Sequence, residues 1–427
     1  MKMAVVGAGW AGLAAAVQAL QAGHQVTLFE ASGHAGGRAR TLPPGGDGAA
    51  KLDNGQHILI GAYTETLRLM RLVSIQPEAV LHELPLALRF ADGNGLAFPD
   101  WPSPLDALAG MLGARGWSWS DRASLLRHVL RWQWLGFACD PDWTVQRLCQ
   151  QLSPKVWADL IEPLCVAALN TPAVQADARV FLRVLHDALL GGRGCSHLLL
   201  PRTDLNALFP DAALHWLQQH GAQVWLSQRV RRLQQVADHW QIDGQSYAAV
   251  ILAGDASNMA QVLLESAQTA TSEIANQMQH WARLTAALRF ETIATVYGKS
   301  AGTPLPAPLL ALHSSAQYPA QFVFDRGQLG GPPGLLAFVA SAARGERASI
   351  QAQVLQQARD QLQLTLQPLQ TVVEKRATFA CTPGLQRPPT QVCAGLLACG
   401  DYIAGPYPAT LEGAVRSARA ASAALPI

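Results

Sequence analysis

The chain has 427 residues, of which 49% are hydrophobic and 15% charged, and its 32 Lys and Arg residues nearly balance its 30 Asp and Glu residues. This composition excludes a strongly basic nucleic-acid-binding protein, an acidic tail protein and a disordered chain. At roughly 150 residues per domain, the length predicts two or three domains. The mean hydropathy of +0.11 is high for a water-soluble chain and indicates either a membrane span or an apolar binding site.

The first thirty residues have the pattern of a strand, a helix and a second strand. An apolar run predicts a strand at residues 3–7, small residues predict a helix at 10–22, and a second strand follows at 25–30. Residues 3–20 follow Lys2 in the layout of a signal peptide, but the three glycines inside this stretch disfavour that interpretation. Since no other stretch reaches the ~18 consecutive apolar residues of a spanning helix, we predict no transmembrane segment.

A glycine motif of the form G-x-G-x-x-G lies between the first strand and the helix. Such a motif binds a dinucleotide: the first glycine permits a tight turn, the second lets the backbone approach a pyrophosphate, and the third allows close packing of helix on sheet. The helix N-terminus then binds the phosphates through its free N–H groups. The residues predicted to contact the cofactor here are Gly7, Ala8, Gly9, Trp10, Ala11 and Gly12.

An acidic residue ends the second strand at the position expected for a ribose contact. Glu30 lies 18 residues after Gly12, where its carboxylate can accept hydrogen bonds from an adenosine ribose. A negative charge there disfavours NADP, because the 2′-phosphate would be repelled. Ala31 follows directly. The glycine doublet Gly36-Gly37 and the cation Arg38 come shortly afterwards, where the Gly37 backbone and Arg38 can serve the same pyrophosphate.

The later segments differ in pattern. Residues 43–50 predict a loop, 63–73 a helix, and 104–200 a series of helices with almost no strand signal. Strand-like stretches return at 223–236, 239–243 and 248–255, and alternating apolar and polar residues over 284–339 predict a mostly antiparallel sheet. The seven cysteines have no Cys-x-x-Cys or metal-finger spacing, so we predict reduced, mostly buried thiols and no metal site.

The segment from Glu30 to Arg38 resembles the amine-oxidase and carotenoid-desaturase class of FAD proteins, and the far end of the chain supports this likeness. There Gly400 and Asp401 follow a buried strand and precede the last helix. The resemblance implies that Asp401 contacts the ribityl and phosphate region of FAD, and that the last helix directs its N-terminus, with Thr410 as N-cap and Leu411 next to it, at the flavin ring. It also implies that Val230 lies behind the adenine end of FAD.

The predicted fold class combines α/β and α+β architecture. A Rossmann-like FAD-binding domain with a parallel sheet is expected to be discontinuous, made of residues 1–75, 200–260 and 375–427. A helical substrate region at 76–199 and a sheet-containing substrate region at 261–374, mostly antiparallel, are expected to complete the chain.

Several blocks narrow the likeness to the hydroxysqualene dehydroxylases, also described as squalene-associated FAD-dependent desaturases. They are Asp53-Asn-Gly-Gln-His57, residues 157–170, residues 374–384 and the Tyr-Pro-Ala-Thr segment that begins at Tyr407. This family implies a reaction in which reduced FAD converts hydroxysqualene to squalene and water, a step toward hopanoids. Gln56, His57 and Tyr407 are the candidate catalytic residues, with Asp53 as a partner behind them.

Other functions share much of this pattern. A phytoene-type carotenoid desaturase shares the fold and the apolar substrate site, and an amine oxidase shares the cofactor motifs. A non-catalytic FAD-bound lipid scaffold shares the cofactor motifs and the apolar site. The Asp53 to His57 segment is also consistent with a polar turn that only hydrogen-bonds the flavin. The electron donor that reduces FAD is not identified, since no second nucleotide motif is present.

A triterpene substrate implies an apolar tunnel, and a tryptophan-rich part of the helical region is the predicted lining: Trp117, Trp119, Trp132, Trp134 and Trp157. Residues 122–137 combine arginines with apolar and aromatic residues, as in a helix that lies on a bilayer surface. The same pattern is typical of a helix that covers a core. We therefore expect a cytoplasmic protein with a peripheral contact to the inner face of the cytoplasmic membrane.

Overall fold

The computed structural model describes residues 1–43, 50–302 and 304–425, so most of the loop predicted at 43–50 lies outside the described residues. The strands, in chain order, are β1 (Lys2–Val6), β2 (Gln25–Phe29), β3 (Leu59–Ile60), β4 (Leu81–Leu84), β5 (Ala87–Arg89), β6 (Gly95–Ala97), β7 (Leu198–Pro201), β8 (Gln223–Trp225), β9 (Gln234–Val236), β10 (His239–Ile242), β11 (Gln245–Tyr247), β12 (Ala249–Leu252), β13 (Phe290–Lys299), β14 (Leu309–Ala311), β15 (Phe322–Asp325), β16 (Leu335–Ser341), β17 (Gln367–Phe379), β18 (Gln391–Cys393) and β19 (Leu396–Ala398).

Fifteen α-helices are present in the described residues, together with a π-helical turn at Trp157–Ile161 and a 3-10 turn at Arg326–Leu329. They are α1 (Trp10–Gln21), α2 (Thr64–Leu72), α3 (Pro77–Val80), α4 (Leu105–Leu112), α5 (Trp119–Trp134), α6 (Val145–Leu148), α7 (Pro154–Val156), α8 (Glu162–Leu169), α9 (Ala178–Leu190), α10 (Leu205–Leu208), α11 (Pro210–Gln219), α12 (Ala256–Ala267), α13 (Ser272–Ala286), α14 (Arg347–Leu362) and α15 (Leu411–Ala423).

A six-stranded sheet gathers segments from both ends and the middle of the chain. Its order is β18-β19-β12-β1-β2-β8, and the five strands from β19 to β8 are parallel, with β18 antiparallel at one edge. The central strands β1, β2 and β12 are buried and apolar apart from Thr27 and the exposed first residues Lys2 and Gln25, as expected where helices cover a parallel sheet. The predicted Rossmann-like sheet is confirmed.

Helix α1 packs between this sheet and the C-terminal helix α15. Its buried residues are mostly alanine, and small side chains allow its backbone to approach the sheet closely. Gly12 marks the closest approach, because a Cβ atom there would lie 1.8 Å from the Gly7 carbonyl oxygen. The N-terminal helix α1 and the C-terminal helix α15 thus pack directly against each other.

A second, five-stranded sheet of order β14-β15-β16-β13-β17 is antiparallel throughout. The long strands β13 and β17 are its main pair. Smaller antiparallel sheets join β11-β10-β9, β3-β7-β4 and β5-β6. The mostly antiparallel sheet predicted for the middle of the chain is therefore confirmed.

Two segments differ from their predicted secondary structure. Residues 76–103, assigned to the helical region, contain the short strands β4, β5 and β6, which are too short to give a strand pattern in the sequence. Residues 226–233 are irregular, although their alternation predicts a strand, because this segment turns away from the sheet after β8. The region boundaries predicted at 199, 260 and 374 fall inside β7, α12 and β17.

The basic and aromatic helix predicted at 122–137 is α5, which begins at Trp119 because Ser118 and Asp121 form a capping box. Leu125, His128 and Trp132 are buried and pack into the helical region. Trp134, in contrast, is 85% exposed. Among the described residues, no helix has both the length and the apolar character needed to cross a membrane.

All seven cysteines are free thiols, five of them buried and two half-buried. Burial raises the pKa of the thiols of Cys149, Cys381 and Cys393 to about 12, so these sulfurs are protonated at neutral pH. Within the described residues, three or more His, Cys, Asp or Glu side chains are nowhere arranged to hold a metal ion.

Candidate functional site

A cavity of about 1370 Å³ lies at the carboxyl ends of the parallel strands. Each strand contributes the residues that follow it: Gly7 after β1, Glu30 after β2, Ala253 after β12 and Gly400 after β19. In open α/β sheets this edge is where ligands bind. The cavity continues from the sheet edge toward α8 and the antiparallel sheet, so one space connects both parts of the fold.

The glycine motif shapes the first wall of the cavity. Gly7 has φ +114°, and a Cβ atom there would lie 2.8 Å from the backbone of Ala253, so the tight turn requires glycine. At Gly9 a Cβ would approach only the Gly37 Cα, at 3.8 Å, and would otherwise project from the turn. Gly9, Trp10 and Ala11 line the cavity with Gly7, whereas Ala8 and Gly12 do not.

Glu30 connects the end of β2 with the glycine turn. Its Oε2 accepts a hydrogen bond from the Ala8 N–H at 2.7 Å, and its Oε1 accepts one from the Ser32 N–H at 2.7 Å. Glu30 and Ala31 both line the cavity. A carboxylate is therefore held next to the turn, as the sequence predicts for a ribose contact.

An ion pair joins the two distant half-sites. Arg38 Nη2 donates to Asp401 Oδ1 at 2.5 Å, across 363 residues of sequence, and Arg38 Nη1 donates to the carbonyl oxygen of Ala377. Gly37, Arg38, Gly400 and Asp401 all line the cavity. The segments at both chain ends thus meet at one site, with a cation and an acid side by side.

Helix α15 directs its N-terminus at the cavity. Thr410 is its N-cap, as predicted, and Thr410 Oγ1 accepts a hydrogen bond from the Gly413 N–H at 2.9 Å. Thr410 and Leu411 line the cavity. The carboxylate of Glu412 in the first turn points elsewhere: it accepts from the Thr66 N–H at the start of α2 and pairs with Arg416.

The segment before β9 closes another side of the cavity. Val230 is buried and lines the cavity, but in an irregular segment instead of a strand. Three neighbouring arginines, Arg229, Arg231 and Arg232, line it as well. Sequence reasoning missed them because a strand assignment turns alternate residues to opposite faces, whereas the irregular backbone brings consecutive residues to the cavity.

Two of the three candidate catalytic residues line the cavity next to each other. Gln56 Nε2 donates to the Tyr297 Oη at 2.9 Å, and Tyr297 Oη donates to the Asp53 carbonyl oxygen at 2.8 Å, so the Gln56 amide is held in place. His57 lies beside it, and burial together with the Arg38 cation lowers the pKa of His57 to about 4. At neutral pH its imidazole is therefore uncharged.

Asp53 lies behind this wall. Its carboxylate accepts hydrogen bonds from Thr41 Oγ1 at 3.1 Å and from the Leu205 N–H at 3.0 Å, and it does not line the cavity. Burial raises the pKa of Asp53 to about 6. Its backbone, not its carboxylate, supports Gln56 through Tyr297.

Tyr407 does not line the cavity, contrary to its prediction as a group near the flavin face. Its hydroxyl donates to Asp187 Oδ2 at 2.7 Å, and its ring lies under the Arg416 guanidinium. The side chain thus faces α9 and not the site. Tyr63 and Tyr402 line the cavity instead, and because residues 400–409 follow an irregular course, the Tyr-Pro-Ala-Thr block alone did not reveal where the Tyr407 side chain points.

The far end of the cavity is mostly apolar. Its walls come from α8 and the antiparallel sheet and include Ala167, Ala168, Ile293, Phe322, Phe324 and Val339. None of the five tryptophans predicted as lining reaches it. Trp117 and Trp132 pack into the helical core, and Trp157 donates to Glu162. Trp119 and Trp134 are exposed, because α5 turns its other face, with Leu125 and Trp132, toward its helical neighbours.

Comparison with known proteins adds to this geometry. The hydroxysqualene dehydroxylase of Sinorhizobium fredii is 27% identical over 438 residues, which cover 99% of this chain and 97% of that protein. The zeta-carotene desaturase of Synechocystis is 39% identical over 83 residues, 19% of this chain and 17% of that protein. A crystal structure of an oxidoreductase from Methanosarcina mazei has a TM-score of 0.72 at 16% identity, covers 98% of this chain and 99% of that one, and shows the shared fold.

The family model described as flavin containing amine oxidoreductase matches residues 10–426. The match includes the helix α1 with its N-terminal end at the cavity, the Arg38 and Asp401 pair, and the capped helix α15. The protein is therefore a flavin-dependent oxidoreductase, and the chain belongs to the flavin-containing amine oxidoreductase family.

Proposed function

We propose that the protein uses FAD to remove the hydroxyl group of hydroxysqualene reductively, giving squalene and water in hopanoid or triterpenoid synthesis. The observation that carries this proposal is the single cavity that runs from a dinucleotide cradle to an apolar chamber. The similarity to the Sinorhizobium fredii hydroxysqualene dehydroxylase over 99% of the chain supports the choice of substrate. An apolar chamber suits a C30 hydrocarbon, which has little polarity for a protein to bind.

The residues at the sheet edge fit FAD. The Glu30 carboxylate suits a ribose, and the adjoining backbones of Gly9 and Gly37, which both line the cavity without a side chain, suit the close approach of a pyrophosphate. Arg38 and Asp401 suit the phosphate and ribityl groups, and the N-terminus of α15 suits the negative charge of a reduced flavin ring. Val230 completes the adenine end.

The reaction removes hydroxide from the substrate, adds hydride to the carbon and consumes one proton, so that squalene and water leave. Bound reduced FAD supplies the hydride. The chain supplies a dry chamber, which keeps water from the carbocation, and donors that stabilise the departing oxygen. The neutral His57 acts here as an N–H donor next to the substrate, and Gln56, held by Tyr297, fixes the polar edge of the chamber.

The local similarity to a zeta-carotene desaturase favours a carotenoid desaturase as the second candidate. The two activities run in opposite directions, since a desaturase removes hydrogens with oxidised flavin. Oxidised protein mixed with phytoene or zeta-carotene, and reduced protein mixed with hydroxysqualene, separates them. We expect squalene from the second mixture and no new double bonds in the first; the reverse result supports the desaturase, and no product from either supports a non-catalytic FAD-bound scaffold.

The division of the chain into an FAD-binding part at 1–75, 200–260 and 375–427 and substrate regions at 76–199 and 261–374 stays a prediction. The origin of the six sheet strands in the first part supports it. An electron donor is also required, and its identity stays open.

We further propose a peripheral contact with the inner face of the cytoplasmic membrane through α4 and α5, which pack against each other. Leu105, Leu108 and Leu112 recur along α4 and are exposed, as are Leu130 and Trp134 on α5. The same stretch has an excess of positive charge. It contains the four arginines Arg115, Arg122, Arg127 and Arg131 but only two acidic residues, the half-buried Asp121 and the buried Asp106. Apolar residues among cations suit an anionic lipid surface.

Flotation with phosphatidylglycerol vesicles tests this contact. We expect Leu108→Glu and Trp134→Glu to reduce the bound fraction, and Leu369→Glu, an exposed leucine on β17, to leave it unchanged. Equal binding of all three variants and the unaltered protein would end the proposal.

A further inference from the structure

Two polar side chains meet on the wall of the apolar chamber, and the proposed reaction has given neither of them a role. Asn170 Nδ2 donates to Thr378 Oγ1 at 2.8 Å, and 208 residues of sequence separate the two. Both line the cavity. Asn170 follows Ala167 and Ala168 on α8, and Thr378 lies near the end of β17, so the pair bridges the helical region and the antiparallel sheet.

The Asn170 amide is incompletely paired. Asn170 is only 6% exposed, and its Oδ1 has no hydrogen-bond partner among the described residues. Exchanging the two ends of the amide pairs Oδ1 with the Thr378 hydroxyl but leaves the nitrogen unpaired instead. A buried, unpaired amide group on a cavity wall is destabilising unless a ligand completes it.

The backbone explains the residue at position 170 only in part. Asn170 has φ +46° and ends α8 in the left-handed conformation, where asparagine and glycine are both favoured. Glycine would satisfy this conformation without burying an amide. The contact with Thr378 therefore needs a reason besides the helix end.

The hydrogen bond from Asn170 also orients the Thr378 hydroxyl. Because its oxygen accepts from Asn170, the hydroxyl proton points away from the amide, and the described residues provide no acceptor for it. The pair thus presents one free donor, the Thr378 hydroxyl, and one unpaired acceptor, Asn170 Oδ1. An alcohol is the group that matches both, since its oxygen accepts one hydrogen bond and its proton donates another.

We propose that Asn170 and Thr378 recognise the hydroxyl group of the substrate and make the chamber select the alcohol over the hydrocarbon product. Thr378 donates a hydrogen bond to the substrate oxygen, and Asn170 Oδ1 accepts one from the substrate hydroxyl. This inference rests on the proposed function for the identity of the alcohol. It also explains product release, because squalene leaves the pair unsatisfied and binds less tightly than hydroxysqualene.

The test measures the binding of hydroxysqualene and of squalene to the oxidised, flavin-loaded protein through the change in the flavin absorption spectrum. We expect the unaltered protein to prefer hydroxysqualene. Thr378→Val, which keeps the side-chain shape, should weaken hydroxysqualene binding about tenfold and leave squalene binding unchanged, as expected for the loss of one hydrogen bond. Thr378→Ser, which keeps the hydroxyl, should stay within about twofold for both ligands.

Asn170→Gly provides the second variant, because it retains the left-handed helix end and removes the amide. We expect it to reduce the preference in the same direction as Thr378→Val, with flavin content unchanged. Equal weakening of both ligands, or an unchanged preference in both variants, would overturn the proposal.

The binding measurement, together with an assay of squalene formation by the reduced protein, separates this proposal from the proposed function. An unaltered protein that prefers hydroxysqualene but forms no squalene contradicts the dehydroxylation and leaves the recognition pair standing. A protein that forms squalene while Thr378→Val keeps the full preference contradicts the pair alone. Binding of neither ligand contradicts both.

Discussion

At the scale of single residues, His57 illustrates how the surroundings of a side chain limit its chemistry. A histidine in the Asp-Asn-Gly-Gln-His block suggests an acid, but burial and Arg38 lower the pKa of His57 to about 4. Since the imidazole is neutral above that pH, it holds no extra proton to transfer near neutrality. Its ring N–H remains available as a hydrogen-bond donor.

We therefore expect the rate at which hydroxysqualene reoxidises the reduced flavin to be free of an inflection near pH 6.5 arising from His57. His57→Gln, which keeps an N–H donor, should stay within about threefold of the unaltered rate, and His57→Ala should fall about tenfold. Stopped-flow absorbance measures these rates. An unchanged rate in His57→Ala would remove His57 from the mechanism, whereas an inflection near pH 6.5 lost in His57→Gln would restore it as an acid.

The buried Asp53 predicts a measurable pH dependence of stability. Its folded pKa of about 6 exceeds the unfolded value of 3.8, so the folded state binds the proton more tightly and loses stability as pH rises between these values. Asp53→Asn removes this loss. Its free energy of unfolding, relative to the unaltered protein, should rise by about 2 kcal/mol from about pH 4.5 to about pH 7 in urea titrations.

Asp121 is the matched control for this experiment. Hydrogen bonds from Ser118 and Ser153 hold the pKa of the Asp121 carboxyl below its usual value. Its contribution to stability is nearly complete by about pH 4.5, so Asp121→Asn should cost about the same free energy of unfolding at both pH values. A constant difference for Asp53→Asn as well would show that the Asp53 carboxyl is not perturbed by burial.

At the scale of elements, the β1 to α1 turn could be predicted from the sequence almost completely. Glycines are strong local signals because their conformations and close contacts exclude other residues, and Gly7 and Gly12 lie where the motif places them. The N-cap Thr410 of α15 is likewise a local signal that the structure confirms. The irregular segment 226–233 could not be predicted in this way. Its alternation of residues fits a strand, and only tertiary packing decides that the chain leaves the sheet.

The two later glycines of the motif predict different failures. A Cβ at position 12 would lie 1.8 Å from the Gly7 carbonyl oxygen, whereas at position 9 it meets only Gly37 at 3.8 Å and the backbone φ of −72° suits alanine. We expect Gly9→Ala to fold, as judged by circular dichroism, but to purify without flavin, and Gly12→Ala to fold poorly. A flavin-loaded Gly9→Ala protein would contradict the assignment of the Gly9 backbone to the pyrophosphate.

At the scale of the whole molecule, both ends of the chain meet at one site, and this too was predictable, since the N-terminal and C-terminal segments carry complementary halves of a cofactor motif. The lining of the apolar chamber, in contrast, could not be predicted from the sequence. Tryptophans are frequent in the helical region, but which face of a helix they occupy depends on neighbouring helices, and the actual apolar wall comes from α8 and the antiparallel sheet.

The most direct test of the proposed reaction is a single turnover without oxygen. The flavin-loaded protein is reduced with dithionite, freed of excess reductant and mixed with hydroxysqualene, while absorbance reports the flavin and extraction reports the lipid. We predict that the flavin returns to its oxidised spectrum and that one squalene forms per flavin. A flavin that stays reduced, or that is oxidised without formation of squalene, would contradict the proposed function.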